Sequence, residues 1–281
     1  MSAAARRFWI GAYLLGVLLV SLVVGFPSET LRAYVAHRLS AVLPGVSVTI
    51  EGVRPALPPG AELQGVNVHR AGAPLLMLER LRVTPELLSL VRKVTHYRLQ
   101  GAAAGGEISG SAQVEAQKEQ RGMRLQLQWA GLLLQELPAL QGVHGSRLSG
   151  RMEGNLTLNE QGSLTGKLRV ADGQVELARP FFEQKRFSFR TFDADLSIQN
   201  RMLLVRNGRL KGNEMDLELS GTVLLDPPAG AGALNLSGRV TPHHAFMAKL
   251  EGNLPAGLMR RRTAIPFKIS GPLDSPGVSF N

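Results

Sequence analysis

Few residues in this chain could do chemistry, and their spacing argues against most of what they could do. Of the six histidines only His243 and His244 stand together. Neighbours on a strand point to opposite faces, so the pair could share a metal ion only within a loop. Thr241-Pro242 supplies a loop signal, yet the nearest carboxylate along the chain is Glu251, and no metal site is expected. Cysteine is absent, which removes thiol nucleophiles, disulfides and thiolate metal sites together. Serine beside glycine recurs, but no Gly-x-Ser-x-Gly elbow opens a helix. Asp193 and Asp195 have the spacing of one strand face, opposite Phe192, Ala194, Leu196 and Ile198, so they read as the solvent side of an alternating strand before they read as a catalytic pair. No phosphate-cradling glycine loop precedes a helix. The expectation is a protein without catalysis, metal or cofactor.

The element that positions the rest is residues 8–26, FWIGAYLLGVLLVSLVVGF, which carries no charge. At about 1.5 Å per residue its roughly 19 residues approach 30 Å, the thickness of a bilayer's hydrocarbon core. Arg6 and Arg7 precede it and Glu29 follows, so the positive-inside bias keeps residues 1–7 in the cytoplasm and sends residues 27–281 across. Trp9 and Tyr13 fall where aromatic rings favour the headgroup level. A cleaved signal peptide is the competing reading, but its apolar run would be only about 7 to 15 residues long and end at a small-x-small site. Here the run is longer and ends at Phe26-Pro27, which favours an uncleaved anchor.

The formal charge of +10 on an anchored chain points to anionic headgroups or an acidic partner. Nucleic acid is not expected. Aromatics make up 5% of the chain, few for base-stacking platforms, and Arg260-Arg261-Arg262 is the single tight basic run.

Residues 27–43 read as an amphipathic helix, with Leu31, Tyr34, Val35, Leu39, Val42 and Leu43 on one stripe. The period then changes from 3.6 to 2. Val46, Val48 and Ile50 alternate, as do Val66 and Val68, with prolines 55, 58 and 59 between them. Residues 75–83 predict another strand, and Thr84-Pro85 predicts the start of a short helix over 85–92. From Val94 onward the chain is a succession of short alternating runs broken by glycine. An aliphatic-Ser-Gly signature recurs at Ile108, Leu148, Leu219, Leu236 and Ile269, where glycine marks bulges or bends that let a long sheet curl. Residues 132–141 interrupt this succession. Phe187 and Phe189 lie out of register with Phe192, which predicts a bulge near Arg190.

An alternating sheet has one apolar face that must be covered, and no long helix follows residue 93 to cover it. The sheet must fold into a sandwich, close as a barrel, or curl into a trough with an apolar lining. For a trough, Leu125, Leu127, Trp129, Phe192, Leu196 and Ile198 are the candidate lining.

The anchor, the helix leading into VSVTIEGV, the block PLLMLERLRVTPELLSLVRK, the turn within YRLQGAAAGGEISGSAQV, the strand unit FSFRTFDADLSIQNRMLLVRNGRLKGNEMDLELSGTVLL and the ending IPFKISGPLDSPGVSF together resemble the AsmA-like families of diderm bacteria. Among these the chain is most similar to the type II secretion protein N family. The resemblance implies a mainly β, taco-like curled antiparallel sheet in the periplasm behind a single inner-membrane helix. It implies a non-catalytic part in type II protein secretion, with other secretion components as partners. It implies as the alternative an apolar trough for phospholipid acyl chains.

Overall fold

The computed structural model describes residues 46–56, 60–70, 72–89, 94–115, 123–140, 147–181, 184–199, 201–225, 232–244, 246, 264–272 and 276–280. The expected anchor, its flanks Arg6, Arg7 and Trp9, and the helix over 27–43 lie outside these residues. No helix among the described residues is long and apolar enough to cross a membrane.

The described residues are mainly β. The first seven strands are β1 (Val46–Ala56), β2 (Gly60–Arg70), β3 (Ala73–Pro85), β4 (Val94–Ala103), β5 (Gly106–Glu115), β6 (Met123–Leu133) and β7 (Arg147–Leu158). The remaining seven are β8 (Leu164–Phe181), β9 (Gln184–Gln199), β10 (Met202–Gly212), β11 (Met215–Leu224), β12 (Ala233–Pro242), β13 (Ile265–Pro272) and β14 (Gly277–Phe280). All fourteen form one antiparallel sheet in strict sequence order, with β1 and β14 at its edges. Each strand therefore pairs with its sequence neighbours, as short connections and alternating patterns favour. The join of β4 to β5 shows the local cause. Ala104 and Gly105 have φ of 47° and 70°, the positive pair that a two-residue type I′ hairpin needs.

Two apolar clusters sit on one face of the sheet. The first gathers Val48, Ile50 and Val53 of β1, Leu63 and Val66 of β2, Leu78, Ala103 and Leu132, with Trp129 and Met152 packed against them. Leu63 and Val66 are each 2% exposed. The second joins Ala104, Leu134, Leu137, Val170 and Phe189, with Phe192 and Leu210 against them. Its plug is the segment after β6, two 3-10 turns over Leu134–Glu136 and Pro138–Leu140. β6 and β7 pair on through this interruption, so the sheet is continuous across it.

Of the helix expected over 85–92 the structure describes residues 85–89, and these do not form a helical turn from Pro85. β3 runs on to Pro85, which pairs with Tyr97, and a single 3-10 turn occupies Leu87–Ser89. The buried Ser89 explains the tight turn: its hydroxyl donates to the Glu86 carbonyl at 2.6 Å and accepts from the His96 amide at 2.9 Å, tying the turn to β4.

The bulge expected near Arg190 is present. Lys211 pairs with Thr191 but Gly212 with Phe189, whereas across the other edge the register is unbroken, Ala171 pairing with Thr191 and Gly173 with Phe189. Arg190 is thus the extra residue against β10 alone, and Asp172, which faces it from β8, has φ 51°. The shift keeps Phe189 and Phe192 on the same apolar side. A second bulge in β10 falls between Arg206 and Arg209, with Asn207 at φ 50°, a conformation that asparagine tolerates better than most residues.

Candidate functional site

Register assembles the aliphatic residues of the later strands into two neighbouring rows. Leu125, Leu158, Leu164, Ile198, Leu203, Val223 and Leu234 stand opposite one another from β6 to β12. The next row runs Leu127, Leu156, Gly166, Leu196, Val205, Gly221, Leu236 and Ile269, from β6 to β13. At a strand spacing of about 4.8 Å, the first row follows the sheet for roughly 29 Å. Most of its members are half-buried, unlike the residues of the first cluster. The result is a continuous apolar band whose side chains keep part of their surface open.

Four of the six residues expected to line a trough, Leu125, Leu127, Leu196 and Ile198, meet on these rows. The other two do something else. Trp129 packs against the first cluster with its ring over Gly154, where an added Cβ would stand 2.7 Å from Cζ2. Its buried indole N–H has no hydrogen-bond partner among the described residues. Phe192 packs against the second cluster. Glycine thus makes room for an aromatic ring in the neighbouring strand, as Gly173 does beneath Phe189 and Gly238 beneath Phe267.

The opposite face carries a row of alternating charge: Glu153, Arg169, Asp193, Arg209, Glu218 and Arg239, successive register partners from β7 to β12. Arg169 is its best-bonded member, with Nε 2.6 Å from Asp193 and a guanidinium nitrogen 3.7 Å from Glu153. The hydrogen bond and charge of Asp193 raise the Arg169 pKa above its ordinary value. Exposed pairs of this kind add little stability one at a time. Their effect is on register, because a slip of one residue would turn the whole row to the apolar side. Asp195 accepts from Asn207 Nδ2 at 2.8 Å, so Asp193 and Asp195 are held by a cation and an amide, as structural members of this face.

This face carries several concavities. One concavity of about 890 Å³ extends from Glu107 and Ser109 of β5 to Arg209 and Lys211 of β10, so the polar side is hollowed there. A neighbouring one of about 460 Å³ lies over β10 to β13, lined by Arg209, Glu218, Ser220, Ser237, Arg239 and Lys268 among others.

His243 closes the end of the β11 and β12 hairpin. Its Nδ1 lies 2.9 Å from the Asn213 carbonyl and its Nε2 3.4 Å from Asp216. Two acceptors are both satisfied only by the imidazolium, and the Asn213 carbonyl, with Asp216 behind it, raises the His243 pKa against a smaller lowering by burial and by Arg190. The Phe246 amide donates to the His243 carbonyl at 3.0 Å, and the buried Phe246 ring meets Phe187 edge-on with centroids 6.4 Å apart. His244 is exposed and joins no metal-binding group. Among the described residues no three His, Asp or Glu side chains converge as metal ligands.

Neither the charge row nor the His243 clasp was visible in the sequence. The row's members lie on six strands, and their alternation exists only across the register; the one available hint was that each sits on the polar side of its own strand. The chain matches no family model, no characterised protein and no solved structure.

Proposed function

We propose that the chain is a non-catalytic, membrane-tethered protein of the bacterial envelope whose curled sheet shelters phospholipid acyl chains along its apolar band. The observation that carries this reading is the pair of half-buried aliphatic rows through Leu125, Leu127, Leu196 and Ile198. Apolar area left partly open costs about 25 cal/mol for each Å² that stays wet, so a band this long favours an apolar partner. Its rows contain no charged member that an acyl chain would have to desolvate. The resemblance to AsmA-like proteins supports the same use, and the charge-free run over 8–26 supports the tether.

A structural part in type II secretion is the second reading. It is favoured by the resemblance to the protein N family and by the edge strand β14, where Val278 and Phe280 are 55% and 42% exposed. An exposed edge strand is a place where another chain's strand can pair.

The deciding experiment is to purify the full chain in mild detergent, extract it with organic solvent and identify co-purifying phospholipid by mass spectrometry. Leu196→Asp and Ile198→Asp should each abolish the lipid while the circular dichroism spectrum is kept. Absence of lipid from the wild type, together with unfolding of both variants, would make the band an ordinary packed core and leave the secretion reading.

A further inference from the structure

Two neighbouring concavities of the polar face differ in charge. In the larger, four cations meet four carboxylates, and Arg169 is already bonded to Asp193 and Glu153. In the smaller, Arg209, Arg239 and Lys268 meet Glu218 alone, and none of the three cations has an ion-pair partner within 4.0 Å among the described residues. We infer that this smaller groove over β10 to β13 is a binding seat for a phosphoryl anion.

Register builds the seat. Ser220 pairs with Ser237 and Ser237 with Lys268, while Arg239 stands in the next row, two residues along β12 from Ser237. Ser237 therefore stands beside Lys268 across the pairing and two residues from Arg239 along β12, with Ser220 on its other side on β11, all four exposed on one face, and ammonium, guanidinium and hydroxyl groups all donate to phosphoryl oxygens. Arg239 supplies a planar fork and Lys268 a flexible point charge, a combination suited to a tetrahedral anion with several oxygens. Glu218 neutralises only part of this charge: it stands in the row between Arg209 and Arg239 and two residues along β11 from Ser220, while Lys268 lies two strands away on β13. The floor is firm, because Phe267, directly before Lys268, is 6% exposed and sits over Gly238. The groove opens opposite the aliphatic rows, so the inference does not rest on acyl-chain binding and either can fail alone.

A phosphoryl group can come from a lipid headgroup or from free phosphate, and two probes separate them. The full chain in a neutral maltoside detergent is titrated with inorganic phosphate and, separately, with dihexanoyl phosphatidylglycerol, using isothermal calorimetry at low ionic strength. The double variant Arg239→Gln with Lys268→Gln should weaken at least one probe by about tenfold or more, the loss expected for removing charge-assisted hydrogen bonds. Lys268→Arg should keep most of the binding, and Arg98→Gln, an exposed cation on β4, should change nothing. Weakening of the lipid probe alone identifies a headgroup seat, whereas weakening of inorganic phosphate identifies a seat for the free anion. The inference is overturned if the wild type binds neither probe, or if Arg98→Gln loses as much as the double variant.

Discussion

Leu63 in β2 and Leu196 in β9 are both leucines turned to the apolar side of a paired strand, yet Leu63 is 2% exposed and Leu196 only half-buried. The strands around Leu63 receive Leu132, Trp129 and Met152 onto their apolar face, and the two 3-10 turns after β6 cover part of β8 and β9 at Val170 and Phe189. The rows through Leu196 and Ile198 fall outside both clusters. Alternation thus decides which face a side chain takes, and the covering layer decides whether that face becomes a core or a surface for something else.

The largest expected effect breaks the packed side of this contrast. Leu63→Ala should lower unfolding stability by about 2 to 5 kcal/mol, the usual result of leaving a cavity in a filled core. Leu236→Ala in the open band should cost only about 1 kcal/mol, since half-buried area contributes about half as much. Urea unfolding of both variants checks this, and equal costs would erase the distinction between the regions.

Next in size is a steric test of the glycines. Gly173→Val drives a side chain into the Phe189 ring, and overpacking of this kind should cost about 1 to 3 kcal/mol. Gly52→Ala in β1 meets only Gln64 Oε1 at 3.8 Å and should be neutral or slightly stabilising. Thermal melts of the pair would show whether the glycine sites of the later strands are seats for aromatic rings.

The smallest effect is local and depends on pH. The His243 pKa is raised in the folded chain, so its contribution is complete below the unfolded value near pH 6.5 and is lost as pH rises through the folded value. Hydrogen exchange at the Phe246 amide, corrected for the intrinsic rate, should show less protection at about pH 8 than at about pH 6. His243→Gln should remove that difference. An unchanged pH response in the variant would place the titrating group elsewhere.

Strand content and facing were legible in the sequence because both are local. Val48 and Ile50 in β1, and Val66 in β2, lie on the face their spacing assigned, and the offset of Phe187 and Phe189 from Phe192 revealed the bulge at Arg190. The helix start expected at Pro85 failed for the complementary reason. Thr84-Pro85 is a sound local start signal, but pairing of Pro85 with Tyr97 keeps that segment in the sheet. The charge row was hidden because each partner belongs to a different strand. Trp129 and Phe192 were grouped with the open residues because periodicity assigns a face and carries no information about what packs on it.

The difference between the two apolar regions can be measured directly because the chain has no cysteine. Single Leu63→Cys, Leu196→Cys and Leu236→Cys variants of the full chain can be treated with a small methanethiosulfonate reagent in the folded state, before and after lipid extraction. The thiol at 63 should stay protected throughout, while those at 196 and 236 should react, and faster once lipid is removed. Protection at 196 and 236 as complete as at 63, unchanged by extraction, would contradict the open band and with it the account of this sheet as a shelter for acyl chains.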